Sequence, residues 1–434
     1  MWTDVRAAWA LFIGVGFIMI GNGLQGTLLG LRASLEGFST FTTGIMMSGY
    51  FVGILLGSIL APRLVSRVGH IRVFGALASA ASISILVHGL LVNPATWFMM
   101  RLVTGISYAG LYVVSESWLN DRASNETRGK MLSLYMVVTT LGMGAGQFLL
   151  NIADPLGIEL FVLVSVVVSF GLIPMLLTAR PAPAFETTTK MTLGELFRAS
   201  PLALISNMLT GMAHGTIFGL GAVYASQQGF SVDRVSLFMA CILIGGLIFQ
   251  WPLGWLSDRI ERRKIISGVA LVSCAMALVA VTLDSHSNAF LICIVVLGGT
   301  AMPLYSLCVA YANDRLEPEQ IVAASGSLVM VAGIGLTTGP ILISLLMNEF
   351  GAVFYFYGLS VVFSLITLFT LYRMGRRAGI EVDQQAPIIA GQIGTPIAEL
   401  VAPDAEDYVE AAQTGEWEKL DQENDASEDV DRRL

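Results

Sequence analysis

Hydrophobic positions in this chain neither alternate nor keep to one helical face. They run for about twenty residues at a time between short polar turns. Such a run, at about 1.5 Å rise per residue, matches a hydrocarbon core about 30 Å thick. Twelve runs can be read, over residues 7–31, 42–65, 71–92, 94–119, 129–151, 157–179, 201–226, 235–256, 264–283, 288–312, 321–347 and 352–374. They predict an all-α membrane protein with twelve transmembrane helices. The fourth run carries an unusual set of positions: Arg101, Gly105, Tyr108, Tyr112, Ser115 and Glu116 fall in one stripe about a third of the helix circumference wide. A charge inside a span costs about 3 kcal/mol on insertion scales and normally turns toward protein or water. This stripe is therefore expected to face the bundle interior.

Laying the second half of the chain over the first reveals a repeat at an offset of 192 to 193 residues. Gly37-Phe38-Ser39 recurs as Gly229-Phe230-Ser231, Gly53 as Gly245, Asn120-Asp121-Arg122 as Asn313-Asp314-Arg315, and Gly146 as Gly339. The offset spans six helices, an even number, so both copies have the same orientation in the membrane. Two pseudo-symmetric six-helix bundles about an axis along the membrane normal are expected. The predicted domains are an N-terminal bundle over 1–180, a cytoplasmic linker over 181–200, a C-terminal bundle over 201–376 and an acidic, mostly disordered cytoplasmic tail over 377–434.

Composition agrees with a polytopic membrane protein: 55% of the 434 residues are hydrophobic, 13% are charged and the mean hydropathy is +0.72. Lys and Arg set the expected orientation, because short basic loops stay cytoplasmic. Eighteen lie in the connections of one face and only Arg32 and Arg234 on the other, which predicts both termini in the cytoplasm. The net charge of -8 belongs to the tail. Residues 381–434 hold 15 Asp or Glu against 3 Lys or Arg, and the rest of the chain carries 17 against 21. Acidity is thus no guide to a substrate. Cys241, Cys274, Cys293 and Cys308 sit in spans without metal-ligand spacing and read as packing. The first run is too long for a signal peptide and is expected to be retained as a helix.

After the eighth run the chain reads Gly254-Trp255-Leu256-Ser257-Asp258-Arg259-Ile260-Glu261-Arg262-Arg263. This resembles the major facilitator superfamily (MFS) signature G-x-L-x-D-R-x-G-R-R, with Glu261 in place of the second glycine. Arg101 with Gly105 resembles the R-x-x-x-G element of the family's fourth helix. Gly142, Gly144 and Gly146 resemble its glycine-rich motif, with Gln147 in place of a proline. Tyr112 to Ser117, Arg128-Gly129 and Gln250 to Gly254 resemble the YcaD-type branch. The resemblance covers residues 7–375. It implies the MFS fold of the plasma membrane, in bacteria the cell inner membrane, and a secondary active transporter that moves a small organic solute by alternating access.

The family layout places the first, fourth, seventh and tenth helices around a central cavity. The substrate-cavity candidates are then Asn22, Gln25, Arg101, Tyr108, Tyr112, Asn207, His214 and Tyr305. Asn22 and Gln25 are three apart and Tyr108 and Tyr112 four apart, so each pair shares a face. Such a pocket suits a neutral or weakly polar molecule that stacks and hydrogen-bonds, while Arg32 and Arg101 together suggest an outer-side cationic patch. Proton coupling would rest on Glu116 and His214. Glu116 lies about 22 Å along the helix from Arg101, which suits an inner gate or proton path better than the pocket. In the family the loop aspartate and arginines lock the cytoplasmic helix ends. The matching gate residues are Asp121, Arg122, Asp258, Arg259, Arg262, Asp314 and Arg315.

The chain shows no phosphate-binding G-x-x-x-x-G-K-[ST] loop, no metal cluster and no nucleophile with its base, so no enzyme activity, cofactor or metal is expected. Expected partners are the lipid bilayer and a small-molecule substrate. Protons as coupling ion and a protein bound by the acidic tail are the two further readings. Nucleic acid is not among the partners, and a monomer is expected. The alternative to a transporter is a non-transporting receptor or assembly partner of the same fold that acts through its tail, where 403–420 is expected to form a short helix.

Overall fold

A computed structural model of the chain describes residues 8–122, 125–177, 191–376, 379–380 and 385. The expected tail helix lies outside them, as do the side chains of Asp121 and Arg122. Fourteen helices form among the described residues: α1 Trp9–Leu35, α2 Thr40–Val68, α3 His70–Leu90, α4 Pro94–Arg122, α5 Asn125–Leu149, α6 Glu159–Leu176, α7 Leu193–Ala199, α8 Pro201–Gln227, α9 Val232–Ser257, α10 Arg262–Thr282, α11 Asn288–Ala301, α12 Leu304–Asn313, α13 Pro318–Phe350 and α14 Phe354–Met374. Eleven spans are long and apolar enough to cross a membrane, with α11 and α12 together making one. The twelfth expected span is α8, which is long enough but carries Ser206, Asn207, Thr210, His214 and Thr216, all buried inside the protein.

The repeated Gly-Phe-Ser has a local cause. Gly37 ends α1 and Gly229 ends α8, at φ +78° and +72°, where any Cβ is strained. At both, the glycine N–H returns to a carbonyl three residues back and the following phenylalanine N–H to one five residues back, which satisfies the last carbonyls of the helix. Ser39 then opens α2, its hydroxyl accepting from the Thr42 N–H at 3.1 Å. The motif is a helix stop followed by a helix start, used once in each half.

Repeated glycines also set the crossings within each half. Gly53 of α2 faces Gly105 of α4, and a Cβ on either would strike the other helix's backbone: the Leu102 carbonyl from Gly53 and the Tyr50 carbonyl from Gly105. The second half does the same with Gly245 of α9 and Gly298 of α11, against the Val295 and Ile242 carbonyls. Gly142 and Gly146 of α5 pack on the α1 backbone, as Gly335 and Gly339 of α13 pack on α8. Small residues allow such close approach, and packing then replaces the hydrophobic drive that lipid cannot supply.

One predicted span is not continuous. The run 288–312 breaks at Met302-Pro303 into α11 and α12. Pro303 has no N–H to return to the preceding turn, and its ring crowds the carbonyl four residues earlier. The linker contains α7, capped by a reciprocal box between Thr192 and Glu195. The Thr192 backbone N–H, and then its hydroxyl, hold the Glu195 carboxyl below the usual carboxylate range. A depressed folded-state pKa stabilises above the ordinary value and loses that contribution as pH falls through the lowered one. Amide-exchange protection of α7, corrected for intrinsic rates, is therefore expected to drop in acid, and Thr192→Ala should produce the same drop at neutral pH.

The candidate central cavity

Contacts between the two halves gather toward the face that bears the Gly37 and Gly229 turns. Gly30 of α1 packs on Ala222 and Val223 of α8, and Gly44 of α2 on Pro340 and Ser344 of α13. Gln227 donates to the Thr40 hydroxyl at 2.7 Å, Asn151 to the Ser236 hydroxyl at 3.2 Å and Ser48 to the Thr337 carbonyl at 3.0 Å. Leu55 against Gly333 brings this seam to mid-depth. From there a cavity of about 640 Å³ runs between α5 and α9 toward the opposite face, ending at Trp255 and Asp258.

The cavity's apex is polar and aromatic. Arg101 lies with its guanidinium carbon 4.3 Å from the Tyr50 ring centroid. Asn22 donates to the Tyr50 and Tyr112 hydroxyls at 3.3 and 3.2 Å. Thr27 donates to Gln147 Oε1 at 2.5 Å, and Gln147 Nε2 donates to the Gly23 carbonyl at 3.0 Å. Around these groups, Phe51, Met136, Phe218, Met239, Leu243 and Trp251 make the walls largely apolar. A few convergent polar groups in an apolar cleft are what a small-molecule site requires: the polar groups orient and the walls bury.

Of the eight residues read as cavity-lining, the cavity wall includes Asn22, Arg101, Tyr112, His214 and Tyr305. The other three point elsewhere. Asn207 is fully buried and donates to the Leu328 carbonyl at 2.9 Å, tying α8 to α13. Tyr108 sits behind the wall, its hydroxyl 3.4 Å from the Ile18 carbonyl. Gln25 is buried with Nε2 unsatisfied. Tyr50 and Gln147 were not among the expected cavity residues. Tyr50 shares a face with Gly53 and Gly57, the close-packing face of α2, which was the available signal. Gln147 showed only as a missing proline.

His214 closes the helix break. Its Nε2 lies 2.9 Å from the Ala301 carbonyl at the end of α11. A carbonyl can only accept, so Nε2 carries the proton and donates, satisfying an oxygen near the break. Glu116 is buried on α4 within electrostatic reach of Tyr135 on α5 and Tyr305 on α12. Tyr135 belongs to the same half as Glu116 and Tyr305 to the other. Arg32 does not form a cationic patch with Arg101: it pairs with Glu36 at 2.6 Å and donates to the Pro155 carbonyl at 2.8 Å.

At the cavity's far end Arg262 is buried between two carboxylates, Asp314 at 2.5 Å and Asp258 at 3.3 Å, and its Nε donates to Ser257 at 3.0 Å. Asp314 and Arg262 are each 1% exposed and Asp258 is 38% exposed, so the first two form an interior ion pair while Asp258 stands at the mouth. Arg259 stacks on Trp255 at 3.9 Å, and Arg315 donates to the Tyr311 hydroxyl at 2.9 Å.

The sequence profile of the Major Facilitator Superfamily matches residues 11–233 and 203–402. The uncharacterised MFS-type transporter YcaD of Escherichia fergusonii is 26% identical over 373 residues, 86% of this chain and 96% of that protein. Its Escherichia coli counterpart is 26% identical over 352 residues, 81% and 91% of the two chains. Among solved structures, a point mutant of the nucleoside transporter NupG superposes with TM-score 0.73 at 14% identity, over 84% of this chain and 98% of that one. A bacterial homologue of the human lysosomal transporter Spinster, inward-facing and occupied, gives 0.67 at 14% identity, over 88% and 98%. With its glycine-set crossings repeated in both halves around one central cavity, this chain belongs to the major facilitator superfamily.

Proposed function

We propose that the protein is a secondary active transporter that carries a small organic solute by rocking its two six-helix bundles about the central cavity. One observation carries this reading: the halves are sealed together at the Gly37 face, and the cavity between them runs to the Arg262 face. That is one end state of an alternating-access cycle. The basic loops of the Arg262 face make it the cytoplasmic side under the positive-inside rule, so the state is inward-facing in a bacterial inner membrane, with both termini in the cytoplasm. Asp258 at the mouth, beside the Arg262–Asp314 lock, is then placed to engage the other bundle when the cytoplasmic side closes. Asp121, Arg122, Arg259 and Arg315 complete that gate.

Proton coupling is assigned to Glu116. It is a buried carboxylate within electrostatic reach of Tyr305 in the opposite bundle, where protonation would change the cost of closing the cavity. His214 is the second candidate, with one ring nitrogen already engaged at the helix break. The test is counterflow and pH-gradient-driven uptake in proteoliposomes, using a panel of metabolites and hydrophobic drugs. Saturable flux with the wild-type protein is expected. Glu116→Gln is expected to retain exchange while losing most of the acceleration by a pH gradient. Absence of any flux across the panel would defeat the transport reading, and an unchanged gradient response in Glu116→Gln would remove Glu116 from coupling.

A further inference from the structure

The buried guanidinium at the apex bears directly on what the cavity accepts. Arg101 is 3% exposed and belongs to the cavity wall. Among the described residues it makes no ion pair and no hydrogen bond, and its Nε is buried without a partner. Its close neighbour is the Tyr50 ring. A cation over an aromatic face recovers part of its lost hydration, but less than burying an ion costs. The other buried arginines described above are treated differently: Arg32 has Glu36, and Arg262 has Asp258 and Asp314. An unmatched planar fork at the closed end of a cavity has the geometry for two parallel hydrogen bonds to a carboxylate.

We infer that the cavity binds an organic monoanion, its carboxylate on Arg101 and its apolar or aromatic body between Tyr50, Tyr112 and Tyr305. This rests on reading the cavity as the transport site and narrows its substrate class. Charge sets the valence. Among the described lining residues Arg101 is the one permanent cation and Asp258, at the mouth, the one carboxylate. A second negative charge on the ligand would face apolar walls or Asp258. The polar cluster of Asn22, Tyr50 and Tyr112 hydroxyls lies beside the apex, so hydroxyl or amide substituents near the carboxylate are also accommodated.

The test uses the purified full-length protein in nanodiscs, reading the fluorescence of Trp251 and Trp255, which line the cavity. The probes are aromatic and aliphatic monocarboxylates from acetate to 3-phenylpropionate, their primary amides, matched dicarboxylates, and oleate. Saturable quenching by monocarboxylates is expected, at least about tenfold tighter than by the amides and dicarboxylates, or about 1.4 kcal/mol. Arg101→Gln should erase this preference, and an unchanged helical circular dichroism spectrum with monodisperse elution shows that the variant is folded. Arg101→Lys, which keeps the charge and loses the fork, should restore part of it. Preference for oleate over the soluble acids, abolished by Arg101→Gln, would support the same site with the carboxylate drawn from the bilayer. Equal binding of acids and amides, a preference that survives Arg101→Gln, or no saturable response to any carboxylate would each overturn the inference. Flux of neutral solutes in any of these cases would leave the transporter reading standing.

Discussion

Replacing Gly105 with valine is expected to destabilise the purified protein by about 3 kcal/mol, the upper end of overpacking costs, and to abolish transport. A Cβ at this position meets the Tyr50 carbonyl and the Gly53 Cα, which are backbone atoms of α2 and have no rotamer by which to withdraw. Relief requires α2 and α4 to separate, which carries Tyr50 away from Arg101 and dismantles the cavity apex. Gly298→Val is expected to do the same in the second half, where the obstacle is the backbone at Ile242. Gly144→Ala and Gly268→Ala are the controls, since a Cβ at either meets nothing within 4 Å. Thermal melting in detergent separates the two classes. Wild-type melting in Gly105→Val would contradict the close crossing.

Asp314→Ala is expected to be the other severe substitution, costing about 3 to 5 kcal/mol, the range for breaking a buried ion pair by removing one partner. It removes the closer carboxylate from a guanidinium that is 1% exposed. Exchanging both partners for apolar residues, Arg262→Met with Asp314→Leu, removes the buried charges together and is expected to recover much of the lost stability. Transport is expected to stay impaired in the double variant if the pair also serves the gate. Recovery of both melting temperature and flux would reduce the pair to a structural element, and a single variant as stable as wild type would contradict its burial.

Legibility differed by level. The spans were plain because hydrocarbon demands length and apolarity. The two halves were plain because backbone geometry restricts certain positions to glycine: Gly37 and Gly229 at positive φ, Gly53 and Gly245 at close crossings. Side-chain direction was much less so. In a membrane interior a polar side chain has two ways to be satisfied, a solvated cavity or a neighbouring helix's backbone, and sequence periodicity does not separate them. Asn207 takes the second way and Asn22 stands at the cavity, though both sit in spans assigned to the lining. The pairing of Thr27 with Gln147 joins residues 120 apart and has no local signature. Pro303 was visible, but its consequence needed His214 from another helix. Arg101 stood out as a charge, whereas its want of a counter-ion depends on which helices surround it.

The central claim is that the two ends of the cavity open in alternation, and distance measurements by pulsed dipolar spectroscopy test it without knowledge of the substrate. Spin labels would be placed at Thr42 and Gln228 beside the sealed seam, and at Ser133 and Trp255 across the cavity mouth, in nanodiscs, with the four native cysteines replaced. The account predicts two populations for each pair that respond oppositely to pH and to bound ligand, the Ser133–Trp255 distance shortening as the Thr42–Gln228 distance lengthens. A single invariant distribution at both pairs, or lengthening of both together, would contradict it.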